Sequence, residues 1–436
     1  MQRGLNFITK PLKSACLAVW SDKQTTKIIL FLTAVQILGV VAGLLLFPQG
    51  QGYVTDSIFA KLLSWDGRGY FSIAQNGYTW NQAYCTLHFC TLAFFPLQGV
   101  IDKVYLLIFG SSGAVVATVL TSWAFGVASV YGFARLARMV MGQGAGSAIF
   151  LYALYPGSVF YLMGYPTGLM LLAVIAALHN ALVEKWWRSA LWIGIGGAAG
   201  ASVIFVGFAI GVYYLFDQFR RGVSLQTGTR VLGWAALTLS GLLLFMLYQY
   251  MVFGDATAFM TAQIPWTGSV KASQKILRLE AFYWYIVYYL QSVHLYKAAY
   301  QTLLLQHGNE VLVMQNTKLH ISDFIEVVVE SVLNLGFFVL AWVGLALCGF
   351  FTAGKKAKIL ICTSGLCALL GYEWFVFASD WAMQSTIRLV FPVIAMFIGL
   401  GGLCQKFKLL EYGLFPLFTV ISFLQVAFVV SGFIMT

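Results

Sequence analysis

From Ile28 to Phe47 the chain runs for 20 residues without a single charge. A helix of that length rises about 30 Å, enough to cross the hydrocarbon core of a bilayer. The feature repeats, and the repetition limits the fold. Further apolar stretches read as spans at about 113–134, 145–163, 167–183, 231–253, 324–350, 359–378, 387–404 and 412–434. The composition closes off a soluble alternative. Of 436 residues, 60% are hydrophobic and only 9% charged, whereas a single soluble core stops growing at roughly 250–300 residues. The sequence therefore predicts an all-α polytopic membrane protein, because each helix satisfies its own backbone in lipid. It reads as one integral unit over 1–436, with about nine full spans.

The net charge of +11 does not point to nucleic acid. The bases fall between the apolar stretches, as topology signals do. Arg3, Lys10, Lys13, Lys23 and Lys27 precede the first span. Other clusters are Arg135/Arg138, Lys185/Arg188, Arg220/Arg221/Arg230, Lys355/Lys356/Lys358 and Lys406/Lys408. The first apolar run is too long for a signal peptide and lacks a cleavage site, which puts the N-terminus in the cytoplasm. The glycine-rich stretch 189–219 has bases at both ends, so two half-length helices forming a re-entrant hairpin fit it better than one crossing. Pro96 and Asp102-Lys103 interrupt 92–109, which favours an interfacial or buried broken helix. Two polar segments then face outward, at 48–92 and about 254–323, the second expected to carry amphipathic helices on the membrane surface.

The first outward segment contains SWDGRGYFSIAQNGY, Ser64 to Tyr78. Read as a helix, it sets Asp66, Tyr70, Ile73 and Gly77 on one face. An acid at a low-dielectric boundary is a stronger base unless paired, which suits proton abstraction from a hydroxyl. Asp66 could equally be a helix N-cap. In FGDATAFMTAQIPW, Asp255 is either a site residue or a cap. Lys271, Lys275 and Arg278 share one helix face, suited to anionic headgroups in general or to one lipid phosphate. Arg388 stands at the outer end of a span, where it either snorkels to the surface or grips a phosphate in a cavity. Cys85 and Cys90, with His88 between them, read as free thiols, as a disulfide in an oxidising compartment, or as part of a zinc set lacking a fourth ligand. Phosphate-loop and dinucleotide-binding glycine patterns, zinc-protease motifs and serine-hydrolase elbows do not occur in the sequence.

The spacing Trp65-Asp66-x-x-x-Tyr70-x-x-Ile73-Ala74-x-x-Gly77-Tyr78, followed by Ala93-Phe94-Phe95-Pro96-Leu97, resembles the first-loop signature of the PIG-V family. That family comprises the second mannosyltransferases of GPI-anchor assembly and their bacterial relatives. Tyr155-Pro156-Gly157-Ser158-Val159-Phe160 with Tyr165, and Phe253-Gly254-Asp255 with Ala258-Phe259 and Ala262-Gln263, resemble two further blocks in the family's order. Two positions depart from the pattern. Pro166-Thr167-Gly168 stands where relatives carry Ser-Glu-Ser, removing an acid, and Ser202 stands where an arginine is expected.

The resemblance implies a GT-C helical bundle with its site on the outer or lumenal face. It implies a polyprenyl-phosphate-linked sugar donor, most often mannose, and transfer with inversion. Asp66 would be the catalytic base. Arg388, Asp255, Tyr70, Trp65, Lys271, Lys275, Arg278 and Gln263 would hold substrate and lipid phosphate. No nucleotide or other cofactor is expected; a divalent metal is possible but not expected. The acceptor is a glycan, a glycolipid or a protein, and the lipid bilayer is the other partner. With no N-x-[ST] sequon in the chain, a bacterial inner membrane is favoured over the endoplasmic reticulum. The competing readings are a lipid-linked-sugar flippase or transporter, which calls for inverted repeats and midplane ionisable groups, and a non-catalytic subunit of the same fold.

Overall fold

The computed structural model describes residues 22–46, 57–85, 88, 90–222, 224–264, 321–376 and 386–432, and among them all regular structure is helical. In chain order the helices are α1 Lys23–Leu45, α2 Ile58–Leu62, α3 Asp66–Asn76, α4 Gln82–Cys85, α5 Pro96–Met141, α6 Ala145–Ala153, α7 Thr167–Leu182, α8 Trp186–Gly197 and α9 Ser202–Arg220. They continue as α10 Leu225–Phe253, α11 Ala258–Ala262, α12 Ile321–Phe351, α13 Lys355–Val376, α14 Thr386–Leu389, α15 Ile394–Lys406 and α16 Lys408–Ser431. Among the described residues, six helices are long and apolar enough to cross a membrane: α1, α5, α9, α10, the 333–351 part of α12, and α16. The protein is an all-α, multi-pass membrane protein.

The expected span 145–163 is not one helix. α6 stops at Ala153, and Pro156–Tyr161 forms a 3-10 turn. Proline has no N–H to continue the ladder and pushes the preceding residue out of helical backbone; Tyr155 accordingly sits at φ −57°, ψ 133°. Unwound backbone survives inside a membrane protein only where other groups satisfy it. Here three helices supply them. Ser422 Oγ donates to the Leu154 carbonyl at 2.6 Å, Gln36 Nε2 to the Ser158 carbonyl at 3.2 Å, and Ser122 Oγ to the Tyr165 carbonyl at 2.6 Å. The expected span 387–404 breaks in the same way, at Pro392 between α14 and α15. These two breaks matter because they carry Tyr165 and Arg388.

The stretch 189–219 does turn back on itself, at residues 198–201, but its halves are unequal. α8 has 12 residues and α9 has 19, and α9 alone is long enough to cross. The Ala198 carbonyl accepts from the Leu97 N–H at 2.9 Å, which sets this turn level with the start of α5.

Residues 96–109 are the first arm of α5, bent back at Gly110, whose φ of 67° with ψ 179° is backbone that glycine adopts without a Cβ penalty. The two arms fold against each other. Asp102 Oδ1 accepts from Gln98 Nε2 at 2.8 Å and from Thr118 Oγ1 at 2.7 Å, and the Tyr105 and Thr121 hydroxyls meet at 2.7 Å. The first arm is itself unbroken: Pro96 starts it, Asp102 and Lys103 lie within it, and the break falls beyond both expected interruptions, at Gly110.

At the N-terminal end of α1, Arg138 pairs with the N-cap residue Asp22. Cys85 and Cys90 form a disulfide with Cα atoms 5.4 Å apart, which removes both sulfurs from the zinc reading. The bonded pair packs with Leu92, Ala93, Ala258 and Ala262 in one apolar cluster. The bridge thus closes a short loop of the first polar segment, against which Ala258 and Ala262 of the second pack. Cys85→Ser with Cys90→Ser is expected to lower unfolding stability by about 2 kcal/mol, the chain-entropy value for so short a loop. Denaturant unfolding of oxidised and reduced protein measures it.

Candidate functional site

The motif Trp65-Asp66-Gly67-Arg68-Gly69-Tyr70 builds a helix start that fits only one way. Leu62, Leu63 and Ser64 are buried, and Arg68 reaches back to cap the end of α2, its Nε donating to the Leu63 carbonyl at 3.0 Å. A Cβ on Gly67 would overlap the Met163 carbonyl oxygen, and one on Gly69 would stand 2.7 Å from the Phe94 ring. Gly67 lets the first turn of α3 lie directly on the broken segment after α6, and Gly69 lets it meet Phe94. Gly67→Ala is expected to cost about 1–3 kcal/mol as an overpacked contact and to move Asp66 off its partners. Thermal unfolding together with activity checks it.

Asp66 is the first residue of α3. Its backbone N–H donates to the Tyr165 hydroxyl at 3.1 Å, and its Oδ2 forms an ion pair with Arg388 Nη1. The partners stand 322 positions apart in sequence. The Arg388 guanidinium lies 5.3 Å from the Tyr165 ring centre and 5.6 Å from that of Phe160, within cation–π range. The side chains of Asp66 and Arg388 keep 25% and 27% exposure, so the pair faces an opening. Among the described residues, Asp66 Oδ1 and the remaining Arg388 N–H groups have no protein partner. The site thus offers a free acceptor and free cationic donors side by side.

Tyr70 lies one turn on from Asp66, its ring 4.9 Å from Phe94. Burial, and then the charge of Asp66, push its hydroxyl well above the ordinary tyrosine range. It stays protonated, a donor with no described acceptor. Trp65 is 42% exposed at the rim. Arg388 therefore does not snorkel to the surface, and Asp66 is an ion-paired acid, not a lone one.

Other predicted residues are placed elsewhere. Asp255 Oδ1 accepts from the Thr257 N–H at 2.8 Å and the Thr257 hydroxyl at 2.9 Å, a turn leading into α11. Gln263 Nε2 donates to the Ala93 carbonyl at 2.7 Å, tying α11 to the first polar segment. Lys271, Lys275 and Arg278 lie outside the described residues, as does most of 254–323. Pro166 and Thr167 start α7, where Gly168 packs against the Gly126 backbone, and Ser202 opens α9. Sequence reasoning did not single out Phe160 and Tyr165 as site residues. Both lie in the second block that resembles the family pattern, and the local sign was the proline that forces the break before them.

The fold and this acid–arginine pair define a polytopic helical membrane protein with a partly exposed polar site. A family model described as Mannosyltransferase (PIG-V) matches residues 42–337, and the chain belongs to that family. It is accordingly a membrane glycosyltransferase. Among solved structures it is similar to ArnT from Cupriavidus metallidurans bound to undecaprenyl phosphate, at 12% identity and TM-score 0.47, covering 94% of this chain and 77% of that one. It is also similar to the Archaeoglobus fulgidus oligosaccharyltransferase in the apo form, at 12% identity and TM-score 0.45, over 95% of this chain and 57% of that one. Among curated proteins no match was found.

Proposed function

We propose that the protein transfers a sugar, mannose, from a polyprenyl-phosphate-linked donor to an acceptor hydroxyl on the outer or lumenal face, with inversion at the anomeric carbon, on a GT-C scaffold. The observation that carries this reading is the Asp66–Arg388 pair, with one carboxylate oxygen and several guanidinium N–H groups left without a partner among the described residues.

In the reaction, the acceptor hydroxyl gives its proton to Asp66 Oδ1. Its oxygen bonds to the anomeric carbon as the bond from that carbon to the phosphate oxygen breaks. The polyprenyl phosphate leaves with the electron pair, and Arg388 stabilises the charge that develops on it. The aromatic faces of Phe160 and Tyr165 hold the guanidinium in place, so little reorganisation accompanies the step. Tyr70 adds a neutral donor to the same opening. No step calls for a metal or nucleotide. The outer face is supported by the Cys85–Cys90 disulfide, a bond of oxidising compartments, and by the basic clusters at the other ends of the helices. A bacterial plasma membrane fits the absence of sequons. The acceptor is a glycan, glycolipid or protein hydroxyl.

Donor competition tests the proposal. Purified protein should transfer radiolabelled mannose from a polyprenyl-phosphate donor and not from a nucleotide-linked one. Transfer from the nucleotide sugar alone would remove the lipid-phosphate reading.

A further inference from the structure

At the end of the bundle where the basic clusters gather, the acids among the described residues are all taken by other bases. Asp22 pairs with Arg138, Glu184 with Lys356 and Arg221, Asp217 with Arg221, and Glu411 with Lys408. Arg135, His179 and Lys185 are left over. None of their side chains has a hydrogen-bond or ion-pair partner among the described residues. Yet they converge, since the charges of Arg135 and of Lys185 both act on the His179 ring.

Helix packing brings them together. A Cβ on Gly132 would stand 3.2 Å from Ile175, so α5 and α7 lie in close contact there. One turn further along each helix, the same faces carry Arg135 and His179. Lys185 follows from the turn after α7. The end of α7 does not need these bases as caps. The Val183, Glu184 and Lys185 N–H groups already donate to the His179, Ala181 and Asn180 carbonyls, at 3.2, 3.2 and 2.8 Å. That closure holds Glu184 at φ 59°, left-handed backbone that costs free energy for a residue with a Cβ. Nor does topology account for the grouping: it asks for lysine and arginine at this end, and not for both beside a histidine on one seam.

Like charges held together repel, so the arrangement suits an anion shared among them. Toward the middle of the bundle the same seam continues as Ala128, Gly132, Leu172 and Ala176, all partly exposed. A cationic head above an apolar seam matches a phosphate carried on acyl chains; a free phosphate or a nucleic acid would make no use of the seam. A zwitterionic headgroup would bring its own cation to the same bases. We propose that the seam between α5 and α7 binds the phosphate of an anionic phospholipid, through Arg135 and Lys185 with His179 between them. His179 lies about 18 Å along α7 from the start of that helix beside Tyr165, so this inference is independent of the sugar-transfer reading.

Native mass spectrometry of the full-length protein tests it, with equal amounts of dioleoyl-phosphatidylglycerol and dioleoyl-phosphatidylcholine added as probes. Wild type should retain phosphatidylglycerol in excess. Arg135→Gln with Lys185→Gln should weaken that retention by about 30-fold, the effect of two bases at an anionic leaflet. Lys185→Gln alone, in an exposed turn, should weaken it by about 5-fold. Lys355→Gln with Lys358→Gln removes as much charge from exposed lysines at the same end and should leave retention unchanged. Equal retention of the two lipids by wild type, or no loss in Lys185→Gln, would overturn the proposal. Equal loss in the two double variants would also overturn it, because the lipid then responds only to the general charge of that end. Inorganic phosphate supplies the remaining arm: displacement of the lipid by millimolar phosphate would make this a site for a free anion and overturn the lipid assignment.

Discussion

Asp66→Asn is expected to lower turnover by about 10²–10⁴-fold, the range for removing a positioned general base, while leaving the fold intact. The substitution keeps the size of the side chain and the Tyr165 contact, which uses the Asp66 backbone N–H. What it removes is the proton acceptor and the negative charge facing Arg388. The second loss has its own consequence. In wild type the carboxylate and the donor phosphate compete for one guanidinium. In the asparagine variant that competition is gone, so polyprenyl phosphate should bind at least as tightly as to wild type. Steady-state transfer and direct phosphate binding, measured together, separate a lost base from a damaged site: both fall if the site has collapsed.

Arg388→Ala should act on the other half of the pair, reducing kcat/KM by about 10²–10³-fold, the loss typical of deleting a preorganised donor to developing charge. Polyprenyl-phosphate affinity should fall with it, opposite to the asparagine variant. Lysine should not restore either quantity. An ammonium offers no plane to lie across the Phe160 and Tyr165 rings, and it cannot bond Asp66 and a phosphate oxygen through separate N–H groups as the guanidinium does. Retained phosphate affinity in Arg388→Ala would move the phosphate elsewhere, the Lys271/Lys275/Arg278 stripe being the alternative already visible in the sequence.

Much of this site was readable from residue pattern, and the limits of that reading have physical causes. The helix Asp66–Asn76 was readable because period and composition agreed there, and the face shared by Asp66 and Tyr70 followed. The first span, expected at 28–47, is Lys23–Leu45; Asp22 caps it one turn earlier, and the cap is a polar residue that hydropathy discounts. The break after Ala153 escaped because its residues are as apolar as a span. Its carbonyls are satisfied by Ser422, Gln36 and Ser122, from sequence positions up to 268 away, which no local window contains. Arg388 left two outcomes open in the sequence for the same reason, since its partner is equally remote. Asp255 looked like Asp66 in sequence, an acid beside a glycine at the end of an apolar run. The fold separates them: Asp255 turns back on its own neighbour Thr257, and Asp66 meets Arg388 from 322 positions away.

The central claim is that Asp66 removes a proton and never bonds to the sugar. The anomeric configuration of the product tests this most directly. With a polyprenyl-phosphate-mannose donor of known configuration, NMR of the isolated product should show the opposite anomer, as a single displacement requires. A product with the donor's own configuration would contradict the account, because retention means two displacements through a glycosyl-enzyme and would make Asp66 a nucleophile.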